Sequence, residues 1–147
     1  MKIVLCSKRR SVASLLLRWY MGSRWSHSAM WDEELGCVTH ATLIGGVHVT
    51  PEAEFFDEHP QPRRVIDPGI ADTHAARAWL ASQVGKGYDW TCLVAIFFRL
   101  RSWQHDTRWF CSELTETTRS MFGRRVFNER AARITPYHQD IIADHDL

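Results

Sequence analysis

The chain has 147 residues, the length of one ordinary domain, and 45% of them are hydrophobic, so it can bury a core without disulfides or a metal. Its 18 Lys and Arg balance 17 Asp and Glu to a formal charge of +1, which gives no reason to expect nucleic acid or an acidic membrane as a partner. The four cysteines form no CxxC pair and have no ligand-like spacing to the histidines, which argues against a structural zinc site. We therefore expect one globular domain over residues 1–147.

The start of the chain resembles a signal peptide only superficially. Basic residues precede Leu15-Leu16-Leu17, but Arg18 interrupts the apolar run, and no small-residue cleavage site follows before Trp25. The most apolar segment, Thr91 to Phe98, is far shorter than the roughly 20 residues needed to span a bilayer. These features predict a soluble, cytoplasmic protein without an integral membrane segment.

The first elements are predicted to be a strand and a helix. Lys2 to Cys6 is a short apolar run rich in β-formers, and Ser11 to Tyr20 carries leucines and aromatics at helical spacing behind a serine that can cap the helix. Gly22-Ser23 then breaks the helical pattern.

An antiparallel hairpin is predicted next. Trp25 to Trp31 alternates as a strand does, and Cys37 to Leu43 is the returning strand. A loop over residues 32–35 would place His27 directly opposite His40 on one face of the sheet, whereas a slip of one residue would send the two to opposite faces.

Two more strands and a helix complete the first part of the chain. Val47 to Thr50 continues as a third antiparallel strand, and Arg63 to Asp67 is a short fourth strand. A helix capped by Asp72 or Thr73 runs to Gly85. Its predicted buried stripe consists of Ala75, Ala76, Trp79, Leu80 and Val84.

The rest of the chain predicts further helices against this sheet. Tyr88 to Arg101 is apolar nearly all round, as in a buried helix. Val126-Phe127 is a candidate edge strand, Ile134 to Pro136 an extended return to the sheet, and Tyr137 to Ile142 a last helical turn. The expected fold class is α+β, with a small antiparallel sheet packed against helices.

Cys111 is the first candidate for chemistry. It follows two aromatics and opens an amphipathic helix that Gly123 ends. In the first turn, free backbone N–H groups and the helix dipole favour the thiolate, and a neighbouring imidazolium favours it further. A buried, unreactive cysteine is the alternative, so a partner histidine is needed. His27 and His40 are the candidates, and the other histidines are expected at the surface or in loops and are assigned no role: His48, His59, His74, His105, His138 and His145.

A strand histidine, a polar residue on the next strand and a cysteine opening a helix are the parts of a Cys-His-polar triad. Six short segments occur in a fixed order: GSRWSHSA at 22–29, VTHA at 38–41, GVHVTP at 46–51, GYDW at 87–90, WFCSEL at 109–114 and RITP at 133–136. Together they resemble the NlpC/P60 superfamily of papain-like cysteine hydrolases, specifically its circularly permuted branch with the YiiX- and YebB-like proteins. The resemblance implies a permuted papain-like fold.

The resemblance also implies roles for residues. Cys111 is the nucleophile, His27 the general base and acid, and His40 the residue that orients His27. Many permuted relatives carry Glu at the position of His40, and a histidine there cannot supply a fixed negative charge, so it would hold the tautomer of His27 by hydrogen bonding. By analogy with a tyrosine near the nucleophile in relatives, Tyr88 is a candidate oxyanion donor beside the backbone N–H of Cys111.

The activity implied is cleavage of an amide or peptide bond through a thioester on Cys111, without a metal or organic cofactor. Peptidoglycan peptides, a protein isopeptide and small amides all remain open as substrates. Lecithin:retinol acyltransferase-like relatives, which act on lipid esters, share the second histidine, so a lipid-directed acyltransferase or thioesterase is the first alternative. A catalytically silent binding module on the same fold is the second. Cys111-Ser112-Glu113-Leu114 resembles the YiiX-like form, which favours amide hydrolysis.

Overall fold

The computed structural model describes residues 1–8, 12–60, 63–89, 108–127 and 134–145. Its strands are β1 (Lys2–Cys6), β2 (His27–Asp32), β3 (Cys37–Thr42), β4 (Gly46–Pro51), β5 (Arg64–Ile66), β6 (Gly87–Tyr88) and β7 (Arg108–Trp109). Its helices are α1 (Val12–Met21), α2 (Glu52–Glu58), α3 (Thr73–Gln83), α4 (Cys111–Phe122) and α5 (Pro136–His145). None of the helices within these ranges has the length and apolar character needed to cross a bilayer.

Five strands form one sheet in the order β4-β3-β2-β1-β5, and every neighbouring pair is antiparallel. The two short strands β6 and β7 pair in parallel beside it. The prediction of an α+β fold with an antiparallel sheet packed against helices is confirmed at this level. The predicted strands in the first half of the chain are all present, with ends that differ by one or two residues.

The hairpin between β2 and β3 has a register two residues away from the predicted one. Asp32, not Trp31, is the last paired residue of β2, and it lies opposite Cys37. The turn takes in Gly36 because that glycine has φ +61°, a left-handed conformation that favours a turn over a strand. A shift of two residues preserves the face to which each side chain points, so His27 and His40 share a face but meet diagonally.

Helix α3 begins where the sequence predicts. The Asp72 carboxylate accepts a hydrogen bond of 2.9 Å from the backbone N–H of Ala75, which satisfies one of the free donors of the first turn. The prediction that Val84 is buried is wrong, because this residue lies beyond the last residue of the helix and is 44% exposed. The side chains that α3 buries are Ala76, Leu80 and Gln83.

Helix α2 was not predicted. It has only seven residues, too few for a helical period to stand out, and it begins directly after the last residue of β4. Glu52 and Glu54 lie in its first turn, where negative charge is favourable. Its single buried residue is Phe55, which packs on the face of the sheet that carries Val4 and Val38.

The C-terminal part differs from the prediction in two places. Pro136 is the first residue of the ten-residue helix α5, a position where its missing N–H costs nothing, so the chain does not return as an extended segment there. Val126-Phe127 forms no strand. The predicted helix over Tyr88 to Arg101 begins with a residue of β6, and most of it lies outside the described residues.

A buried polar network fixes α4 and α5 against the sheet. The Ser28 hydroxyl donates to Oε1 of Gln139 at 2.8 Å and lies 2.9 Å from the Thr115 hydroxyl, which accepts a hydrogen bond of 3.0 Å from the Gln139 amide. Glu116, the residue after Thr115, forms an ion pair of 2.6 Å with Arg119 one turn further along α4, and the side chains of Arg119 and Glu116 are 3% and 1% exposed. Because each partner is buried and directional, the network sets the rotation of α4 over β2, and with it the position of the helix start.

Arg119→Met should lower the free energy of unfolding by about 3–5 kcal/mol, because it leaves the Glu116 carboxyl buried without its counter-charge. Burial already raises the pKa of Glu116 against the pull of Arg119. Urea unfolding at pH 7, followed by circular dichroism, measures the loss. Lys8→Met is the control, since it breaks the exposed pair of Lys8 with Glu58 and should cost less than about 1 kcal/mol. Equal losses in the two variants would contradict this account.

Candidate functional site

A cleft of about 750 Å³ lies along β3, β4 and α2 and reaches the first residue of β2. Four histidines line it: His27, His40, His48 and His59. Three of them lie on strands of one sheet face, and the fourth lies directly after α2. The cleft therefore depends on α2, the helix that the sequence analysis missed.

A chain of two hydrogen bonds runs across the cleft wall. Nε2 of His27 lies 3.0 Å from Nδ1 of His40, and Nε2 of His40 lies 3.0 Å from the hydroxyl of Thr50. The three residues come from three neighbouring strands, β2, β3 and β4. The predicted partnership of His27 and His40 is thus formed geometrically, with Thr50 as a third member that no sequence pattern indicated.

His48 and His59 were predicted to lie at the surface or in loops without a role. His59 does lie in the loop after α2 but is buried, and His48 lies on β4 and is half-buried, so the prediction holds only for the loop position of His59. His59 is 6% exposed, its ring stacks on that of His27 with 5.5 Å between centroids, and its Nδ1–H donates to the carbonyl of Phe55 at 2.9 Å. His48 is half-buried, with its ring 4.3 Å from that of His40. Alternation along β4 places His48 on the same face as Thr50, a signal present in the sequence, whereas His59 could not be found without α2.

The remaining histidines take no part in this cluster as far as they are described. His74 and His138 are exposed, as predicted. His105 lies outside the described residues.

The buried rings of the cluster are neutral. Burial lowers the pKa of His27 well below its usual value, and the neighbouring His40 and His59 lower it further. Burial likewise lowers the pKa of His40 to about 3, with His48 and His59 acting in the same direction. An imidazole that is neutral at pH 7 has one bare nitrogen and can accept a proton, which is the state that a general base requires.

Cys111 is the first residue of α4, as predicted, but its thiol is covered. It is 2% exposed, and burial raises its pKa to about 11. Backbone N–H groups of Ser28, Ser112 and Cys111 itself act in the opposite direction, which is the effect expected at a helix start. Burial outweighs them, so the resting thiol is protonated and is not the favoured thiolate that the helix position alone predicts.

Strand β2 separates this thiol from the ring of His27. The Ser28 side chain points to α4, where it meets Thr115, and His27 is the residue before it, so its ring points to the other face and stacks on His59. The sulfur of Cys111 lies against the backbone of Ser28. Among the described residues, no hydrogen bond joins Cys111 to His27, and Cys111 does not line the cleft. The structure brings His27 and His40 together and leaves Cys111 one peptide unit away, on the opposite side of the strand.

Tyr88, the candidate oxyanion donor, is 8% exposed and lines the same cleft as His27. Its ring lies 5.8 Å from that of Phe110, the residue before Cys111, and both belong to the core cluster that contains the thiol. Tyr88 therefore lies between the histidine cleft and the start of α4.

Within the described ranges, no group of three or more His, Cys, Asp and Glu side chains is arranged to hold a metal ion. Among the four cleft histidines, the facing nitrogens of His27 and His40 are engaged with each other, and Nδ1 of His59 is engaged with a backbone carbonyl.

No family model matches the chain, and no curated protein matches it significantly. The family resemblance therefore remains a prediction from the motifs, and function has to be argued from the site.

The neutral, buried histidines predict a loss of stability in mild acid. The pKa of a histidine is about 6.5 in the unfolded chain, whereas burial lowers the pKa of His40 to about 3 in the fold. Below about pH 6.5 the unfolded state therefore binds a proton at this residue that the folded state does not bind. Full stability is present above about pH 6.5 and is lost as the pH falls towards 3. For one such histidine the loss at pH 5 is about 2 kcal/mol relative to neutral pH.

Urea midpoints at pH 7.5, 6 and 5 test this expectation. The midpoint of the wild type should fall with pH more steeply than that of His40→Gln, while His74→Gln, which alters an exposed histidine, should follow the wild type. Identical slopes for the wild type and His40→Gln would show that His40 is not held neutral.

Proposed function

We propose that this chain is a cysteine hydrolase of the circularly permuted NlpC/P60 type that cleaves an amide or peptide bond, with Cys111 as nucleophile and His27 as general base and acid. The observation that carries the proposal is the hydrogen bond between Nε2 of His27 and Nδ1 of His40, because it leaves Nδ1 of His27 for proton transfer. A histidine oriented through one nitrogen and reactive through the other is the arrangement that thiol hydrolases need. The position of Cys111 at a helix start is the second support.

The proposed reaction has two stages. In the first, the sulfur of Cys111 attacks the substrate carbonyl carbon, its proton passes to Nδ1 of His27, and the same proton goes to the departing amine as the C–N bond breaks. In the second, His27 takes a proton from water, the resulting hydroxide attacks the thioester, and the proton returns to the sulfur as the acid leaves. The backbone N–H of Cys111 and the hydroxyl of Tyr88 are the proposed donors to the oxyanion, each worth about 10²–10³ in rate.

The proposal includes a conformational step, because thiol and imidazole lie on opposite sides of β2 in the resting state. His27 is the first residue of β2, where fewer ladder bonds fix the backbone than in the strand interior. The step required is a rotation of this residue upon substrate binding that brings Nδ1 over the end of the strand to the sulfur while Nε2 keeps its hydrogen bond to His40. Catalytic contacts that are long in a ligand-free enzyme commonly tighten only in the complex with substrate.

A binding module without catalysis is the second candidate function. The observation that favours it is the thiol itself, which is 2% exposed and whose pKa burial raises to about 11. In that case the cleft would bind its ligand through the histidine face and Cys111 would be a core residue.

Cys111→Ala should abolish amide hydrolysis, because the nucleophile is gone. His27→Gln should lower kcat/KM by at least about 10²-fold, because the general base is gone. Candidate peptides, amides and lipid esters are screened by intact mass for an acyl group left on the wild-type protein, and turnover is then measured on the substrate that leaves one. Cys37→Ala is the control, because Cys37 lies opposite Pro51 at the far end of its strand. Full activity in Cys111→Ala would remove the assignment of the nucleophile.

Alkylation at pH 6 separates the hydrolase from the binding module. Because the resting thiol is buried and protonated, the reagents are chloromethyl ketones of the candidate peptides, which bind as substrates do. In the hydrolase they should label Cys111 faster than Cys6, Cys37 and Cys92, and His27→Gln should remove that preference. Peptide mapping by mass spectrometry gives the four rates. Slow modification of Cys111 in both proteins, with acceleration only at strongly alkaline pH, would instead favour the binding module.

A further inference from the structure

Thr50 ends the hydrogen-bonded chain that begins at His27. It lies on β4, its side chain is half-buried at the wall of the cleft, and its hydroxyl is 3.0 Å from Nε2 of His40. Both ring nitrogens of His40 are hydrogen-bonded, Nδ1 to His27 and Nε2 to Thr50. Whether the Thr50 hydroxyl donates or accepts therefore decides which nitrogen of each ring carries the proton.

Only two arrangements of protons are self-consistent. If Thr50 accepts from Nε2–H of His40, Nδ1 of His40 is bare and accepts from Nε2–H of His27, whose own Nδ1 is then bare. If Thr50 donates instead, both rings carry their proton on Nδ1, and the free nitrogen of His27 is a donor that cannot take a proton. The first arrangement makes His27 a base, and the second does not.

Three features favour the first arrangement. An isolated neutral histidine is more stable with its proton on Nε2, so both rings then keep their preferred tautomer. Among the residues that the structure describes, no carbonyl accepts from Nδ1 of either ring, as that of Phe55 does from His59, so they do not force the other form. Thr50 lines the cleft, so its own hydroxyl hydrogen can point to solvent while its lone pair faces His40.

The first arrangement also suits a positive charge on His27. When Nδ1 of His27 gains a proton, Nε2–H still donates to His40, and the dipole of the His40 ring points its negative end at the new charge. His40 carries no charge of its own at neutral pH, because burial lowers its pKa to about 3. The orientation of that dipole thus depends on an acceptor at its far end.

We propose that Thr50 is a positioning residue that accepts Nε2–H of His40 and thereby fixes His27 in the tautomer with a bare Nδ1. The role in catalysis rests on the proposed function, whereas the tautomer of His27 does not depend on it. Thr50 acts through two rings and touches no reacting atom.

Imidazole ¹⁵N NMR of the full chain tests the tautomer directly, because protonated and bare ring nitrogens have well-separated shifts. The wild type should show Nε2 protonated and Nδ1 bare in both His27 and His40. Thr50→Val, which removes the hydroxyl and keeps the shape, should mix the tautomers in both rings, and Thr50→Ser should restore the wild-type pattern. Thr39→Val is the matched control, a Thr→Val change on the neighbouring strand β3 at a residue of the other sheet face.

Activity gives the second readout. On a substrate found by the acyl-enzyme screen, Thr50→Val should lower kcat/KM about 5- to 10-fold, as expected for the loss of one hydrogen bond, with KM little changed, and Thr50→Ser should recover it. An unchanged ¹⁵N pattern in Thr50→Val, or Nδ1–H in both wild-type rings, would overturn the proposal. The stated pattern without turnover of any amide would reject the hydrolase and leave the control of the tautomer by Thr50 standing.

Discussion

Alternation of side chains along β2 is the constraint on which the rest of the site depends. Ser28 points to one face and joins the polar network of Thr115 and Gln139, which sets α4 and therefore the start of the helix at Cys111. His27 points to the other face, where His59 stacks on it. A strand of six residues thus holds both halves of the candidate site, one on each side. A mechanism that uses both Cys111 and His27 has to act across or around this strand.

Burial decides the protonation of both halves. The histidines lose water under α2 and stay neutral, and the thiol loses water under the start of α4 and stays protonated. Local effects that a sequence suggests, such as backbone N–H groups at a helix start, are present at Cys111 and act in the expected direction, but the loss of solvent is larger. The resting state is a neutral pair, and formation of an ion pair would need a compensating contact from substrate.

Strands and helices with a clear periodicity of apolar residues were predictable from the sequence. The site was predictable only where its residues lie on such elements. Strand alternation gave the shared face of His27 and His40, and the helix capped by Asp72 was found to within a few residues. The two side chains share a face although the predicted register is wrong, because the true register differs from it by two residues. Helix α2 has too few residues to show a period, so His59 escaped notice. Thr50 escaped because a threonine in a strand is an ordinary β-former, and only the distance from its hydroxyl to His40 distinguishes it.

The turn that ends at Gly36 has a consequence for how this sequence can vary. An insertion or deletion that shifts β3 by an even number of residues keeps the ring of His40 on the cleft side. A shift by an odd number would place Thr39 or Ala41 there instead. Whether the number of added residues is even or odd therefore matters more to the cleft than how many are added. A two-residue extension should be milder than a single added glycine.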